Sequence, residues 1–76
     1  MLRWSRLAAG IFTSNRCRVG DDERLAYVAG KRGEWGWAIE QRVPPSFAGF
    51  ILARGSCATK AEAMAAAEEA MYRRYE

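Results

Sequence analysis

The chain has no histidine. Imidazole is the side chain whose ordinary pKa lets it exchange a proton between pH 5 and 8, so the usual near-neutral acid–base group is missing. Cysteine is almost absent too: Cys17 and Cys57 lie far apart in sequence. Without histidine a zinc site would have to recruit carboxylates, and two thiols alone make a poor structural site. Both are expected to be free, mostly buried thiols that pack as small hydrophobes; a disulfide is the alternative and would matter only in an oxidising compartment. Long apolar runs are also missing. Nothing approaches the ~20 residues that span a bilayer, which argues against a membrane protein. The apolar part of "MLRWSRLAAGIF" is short and interrupted by Arg6, so no signal peptide is expected and the protein reads as cytoplasmic.

Catalytic patterns are equally scarce. No serine or cysteine has an evident activating partner, and "GKRGEWG" lacks the spacing of a phosphate-binding loop. Asp21, Asp22 and Glu23 form the one acidic cluster; such a run could hold a hard cation but more commonly forms a solvated turn. The expectation is no catalytic, metal-ligating or cofactor-binding residue, no cofactor, and a binding protein rather than an enzyme.

What the sequence does have is bulk and arginine. Its 76 residues make one domain, which at this size buries only about 60% of the surface of the unfolded chain. Three tryptophans, three tyrosines and three phenylalanines argue for a packed core and against disorder. Net charge is +3, and ten of the twelve cations are arginine. Arg3, Arg6, Arg16 and Arg18 precede any acid before "DDE" reverses the sign. Guanidinium forks bind carboxylates and phosphates bidentately, where an ammonium cannot. The bland alternative is a solvated surface of mixed sign.

The clearest element is C-terminal. Thr59 followed by Glu62 is a capping-box pattern, and Met64, Ala67, Met71 and Tyr75, with Ala63 and Ala70 beside them, recur on one helical face. Arg73 and Arg74 would sit in the last turn, where cations suit the dipole. The spacing predicts a helix over 60–74. Between 24 and 54 the period is two: "RLAYVAG" and "EWGWAIEQR" flank the glycine-rich connection "GKRGE", and "AGFILARG" resumes after Pro44 and Pro45 break the ladder. This predicts a three-stranded meander. Residues 1–20 are ambiguous: Trp4, Leu7, Ala8 and Ile11 fit helical spacing, while "GIFTSN" weakens a helix. Extended structure is favoured, as a strand or irregular arm followed by a short strand at 16–19.

These elements give an α+β fold: a three- to four-stranded antiparallel β-sheet with one C-terminal α-helix packed on one face. The helix stripe is mostly alanine, so the sheet must supply the volume. Trp35, Trp37, Tyr27, Phe50 or Leu52 are the expected fillers. The other face would be light, with Gly36, Ala38, Gly49 and Ala53 beside Glu40 and Arg42, and would be either plain surface or a shallow platform for a partner.

Two kinds of partner suit this composition. Arg3, Arg6, Arg16, Arg18, Lys31, Arg32 and Arg54 could meet phosphates, with Trp4 or Trp35 stacking on bases; against that, nine acids dilute the field. For a protein partner, "VPPSF" could present Phe47, and "YRRY" gathers Tyr72, Arg73, Arg74 and Tyr75. In the plain alternative Phe47 tucks under the sheet and Tyr72 caps the core.

Finally, "RWSRLAAGIF", "EWGWAI", "GFILA" and "ATKAEAMAAAE" together resemble small uncharacterised bacteriophage and prophage proteins. Those have a tryptophan-bearing antiparallel sheet and a threonine-capped, alanine-rich C-terminal helix. The insertion "VPPSF" departs from that pattern. The resemblance carries over no catalytic residue. It implies a mobile-element context, anti-CRISPR-like in kind: a stoichiometric inhibitor of a host protein or ribonucleoprotein machine in the host cytoplasm. A small nucleic-acid-binding accessory protein is the alternative, and either a monomer or a homodimer fits.

Overall fold

A computed structural model describes residues 2–20, 22–42, 49–73 and 75. Six strands precede one helix: β1 (Trp4–Ala8), β2 (Ile11–Ser14), β3 (Cys17–Val19), β4 (Asp22–Lys31), β5 (Glu34–Arg42), β6 (Gly49–Cys57) and α1 (Lys60–Met71). The strands form one antiparallel sheet in the order β1-β2-β4-β5-β6, and β3 continues alongside β4 beyond the end of β2. The α+β class holds.

The sheet has more strands than the three or four expected, and the excess lies in residues 4–14. Helical spacing there is a coincidence of composition: Trp4 packs against the core while Leu7 is 61% exposed. Gly10 sets the alternative. At φ 72° it turns β1 into β2, and its carbonyl accepts the Gly30 amide at 2.9 Å. A Cβ on Gly10 would meet the Gly30 carbonyl oxygen at 2.5 Å, so no other residue fits this crossing without displacing β4.

β4 is the spine. β2 pairs with its Tyr27–Ala29 end and β3 with its Asp22–Arg24 end. The Ala26 amide falls in the gap between them. The buried Ser14 hydroxyl accepts that amide at 2.9 Å and donates to the Asn15 carbonyl at 2.9 Å, which satisfies a main-chain donor that would otherwise be orphaned in the core. On its other side β4 runs the full length of β5, joined through Arg32 and Gly33. The meander predicted over 24–54 is therefore 22–57, less the residues outside the description.

The helix side of the sheet is built from opposites. Ala26 faces Ile39 across the ladder and Val28 faces Trp37, so small and large residues alternate beneath Ala63, Ala67, Ala70 and Met71 of α1. Val28, Ile39 and Met71 are the largest fully enclosed side chains. Trp35 and Trp37 pack against this centre half-buried, forming its rim rather than its middle. Tyr27, expected beneath the helix, points the other way, because the parity of β4 is fixed by Ala26 and Val28.

At the start of α1, Thr59 Oγ1 accepts the Glu62 amide at 3.2 Å and donates to Glu62 Oε1 at 3.0 Å. The hydroxyl half of the expected capping box is present, while the Glu62 carboxylate accepts a hydrogen bond from the Thr59 hydroxyl rather than from the Thr59 amide. The helix ends at Met71, short of residue 74. Tyr72 has left helical geometry at φ −100°, ψ 6°, and no basic residue lies in the last turn. The terminal carbonyls are served from the sheet instead. Arg24, 5% exposed, extends from β4 and donates through Nη1 to the Met71 and Arg73 carbonyls, each at 2.7 Å. Tyr75 lies over its guanidinium at 5.4 Å and donates to the Ala70 carbonyl at 2.7 Å.

Candidate binding surface

Alternation gives each strand two sides, and α1 covers one. The other side is read directly from the ladder. Thr13, Tyr27, Ala38 and Arg54 form one row; Ile11, Ala29, Gly36 and Ser56 the next; Leu25, Glu40 and Ile51 another. The light floor anticipated from Gly36, Ala38, Glu40 and Arg42 is here. Ala53 is not, because a bulge between Ile39 and Glu40 in the β5–β6 register turns it toward the helix opposite Ile39.

The small residues leave a shallow depression of about 470 Å³, floored by Ala29, Gly36 and Ala38 and walled by Tyr27 and Arg54. Isoleucines lie outside it: Ile11 is 41% and Ile51 51% exposed. Charge is distributed unevenly around this apolar centre. Glu40 Oε1 accepts Arg42 Nε at 2.7 Å, and Glu23 stands 3.8 Å from Arg16. Glu40, first by hydrogen bond and then by charge, and Tyr27 more weakly, hold the Arg42 guanidinium above its ordinary pKa. Arg54 and Arg18 have no carboxylate at ion-pair distance among the described residues. Among the described residues, Glu40 and Glu23 of this face are thus paired, Glu34 opposite Lys31 is not, and the Arg54 and Arg18 guanidinium groups have no carboxylate partner.

Of the ten residues singled out from sequence, the eight that are described scatter around the molecule. Arg54 and Arg18 reach the open face. Arg6 lies on β1 opposite Phe12, on the helix side, and its Nε donates to the Ala8 carbonyl at 3.4 Å. Arg3 lies just before β1, its amide donating to Asn15 Oδ1 at 3.0 Å. Lys31 ends β4 opposite Glu34, and Arg32 begins the β4–β5 turn. Arg16 pairs with Glu23, and Arg73 pairs with Glu69 at 2.8 Å. Phe47 and Arg74 lie outside the described residues. Trp4, considered for base stacking, donates its indole N–H to Glu68 Oε1 at 3.1 Å, and Trp35 stands 6.4 Å from Phe12. Both indoles serve the core side.

Sequence reasoning missed Tyr27, Ile11, Leu25 and Ile51 as surface residues, and Arg24 as a buried one. Strand parity was the available signal: Arg24, Ala26 and Val28 share a side with each other and not with Leu25 and Tyr27. Both cysteines are free and half-buried. Cys17 approaches Tyr72, whose hydroxyl is held above its ordinary pKa by the Cys17 thiol first and by desolvation second.

Among the described residues no group of three or more His, Cys, Asp or Glu side chains is placed to hold a metal ion, and no helix is long and apolar enough to cross a membrane. Comparison of the chain with protein-family models, curated proteins and solved structures finds no match.

Proposed function

We propose that the protein is a small non-enzymatic binding protein of phage type, a stoichiometric inhibitor that docks its helix-free sheet face on an acidic surface of a host protein machine such as a defence complex. One observation carries the docking reading: that face combines the exposed Ile11 and Ile51 and the half-buried Tyr27 with guanidinium forks at Arg54 and Arg18 that have no carboxylate at ion-pair distance among the described residues. Aromatic and aliphatic contacts ringed by arginine are the composition of protein–protein hot spots. Charge complementarity selects the partner's sign. The inhibitory role and the host setting rest on the phage-protein resemblance described above.

A nucleic-acid partner is the second reading, supported by Lys31 at the end of β4 and Arg32 in the β4–β5 turn. It is less favoured because a phosphate track needs a row of free cations, and among the described residues only Arg54, Arg18 and Lys31 on the open face have no carboxylate at ion-pair distance.

The test uses the purified chain and nuclease-treated host lysate. The expected result is capture of a protein complex that is lost with Arg54→Glu plus Arg18→Glu and whose activity falls to zero at about one chain per complex. Salt-sensitive binding to random DNA or RNA, with no protein captured, would support the second reading instead.

A further inference from the structure

The outer edge of β6 has no strand beside it among the described residues. A nine-residue edge strand presents unpaired N–H and C=O groups that template another strand. Phe50 is 52% and Ile51 51% exposed on it, and these neighbours face opposite sides of the sheet: Phe50 stands beside Gln41 on the helix side, Ile51 beside Glu40 on the open side. A side-docking partner would cover one of them; a strand added to the edge covers both.

The bulge decides which strand. Between Ile51 and Ala53 the β6 register shifts, and Leu52 packs on the core. The helix side therefore carries Phe50, Leu52, Ala53 and Gly55, and the open side Gly49, Ile51, Arg54 and Ser56. A strand of unbroken alternation matches this edge on one side of Leu52 and is inverted beyond it. A second β6 carries the same break. In an antiparallel pair about a two-fold axis between Leu52 and Ala53, Gly49 faces Ser56 of the second copy, Phe50 faces Gly55, Ile51 faces Arg54 and Leu52 faces Ala53. Every pair shares a side. No other axis position does this along the whole of residues 49–56.

The side chains suit that register. Gly55 has no Cβ because the Trp37 ring lies over it; a Cβ there would meet Trp37 Nε1 at 2.6 Å. Phe50 of one copy would thus lie beside the half-buried Trp37 of the other. Ile51 meets the aliphatic stem of Arg54, and the two Arg54 groups do not oppose each other. We infer that the protein self-associates as a two-fold dimer through β6, with the bulge at Leu52 setting the register. The sheet then continues across the junction, and the two open faces become one surface.

Sedimentation and light scattering of the full chain over about 10 μM to 1 mM test this. The expected result is a concentration-dependent dimer, with Phe50→Lys moving its midpoint up by about tenfold or more. Phe50 lies on the helix side, so this variant leaves the open face intact and a failure here is separable from a failure of the docking reading. In a Cys17→Ser, Cys57→Ser background, Ile51→Cys with Arg54→Cys should form a reducible cross-linked dimer on oxidation, and Arg54→Cys alone should not. A monomer throughout, a dimer indifferent to Phe50→Lys, or a double-cysteine dimer no more abundant than the Arg54→Cys control overturns the inference.

Discussion

The two sides of this sheet use the same strands for different ends. Beneath α1, small residues oppose large ones, and the enclosed Ser14 hydroxyl and Arg24 Nη1 hold main-chain partners, while Arg24 Nε has none. On the open side Ile11 and Ile51 stay exposed, the depression over Gly36 is unfilled, and Arg54 has no carboxylate. The difference teaches that strand parity alone separates enclosed from open residues here: even-numbered residues of β4 hold the structure together, and odd-numbered ones line the side that α1 leaves uncovered.

Substitution can break that comparison. Ile39→Ala empties the centre of the helix side and should cost about 2–5 kcal/mol in denaturant unfolding; a loss under 1 kcal/mol would mean that α1 does not enclose this side. Arg24→Met keeps the apolar stem but strips the Met71 and Arg73 carbonyls of their donor. A cost of about 2–3 kcal/mol is expected, together with reduced helicity by circular dichroism. Ser14→Ala leaves the Ala26 amide without a partner, at about 1–3 kcal/mol. On the opposite side, Ile11→Thr should change stability by no more than about 0.5 kcal/mol while weakening partner capture. An equal loss of stability on both sides would erase the distinction.

The smallest effect sharpens the boundary near Tyr72. Its folded pKa is raised above its ordinary value by Cys17 and desolvation. A raised value means that the folded state holds the proton more tightly than the unfolded chain. The associated stability is fully present below about pH 10 and is lost as pH rises through the folded value. Tyr72→Phe should flatten that alkaline decline; an unchanged pH profile would remove Tyr72 as its source. Tyr72 is 58% exposed, so the slope will be slight.

Parts of this were legible from residue order, for physical reasons. Thr59 and Glu62 mark the start of α1 because capping is local, and the glycines of 30–33 mark the β4–β5 turn for the same reason. The alternation of β4 was legible, but which of its two sides faces α1 was not. In "RLAYVAG" Leu25 and Tyr27 are bulkier than Ala26 and Val28, so hydrophobicity selects the wrong side; the correct side depends on Trp37 and Ile39 across the ladder. Residues 4–14 misled because apolar spacings of three and four arise by chance in short segments, and the Gly10–Gly30 approach that settles the matter is long-range. The end of α1 escaped because its cap is Arg24, distant in sequence.

That clasp has a dynamic consequence. Final helical turns ordinarily fray, since nothing holds their carbonyls. Here unwinding the last turn would break both Arg24 hydrogen bonds and the Tyr75 contact at once, so local opening of the helix end is coupled to β4. Amide hydrogens near Ala70 should therefore exchange with solvent about as slowly as those at the sheet's centre, and helix and sheet should open as a single cooperative unit.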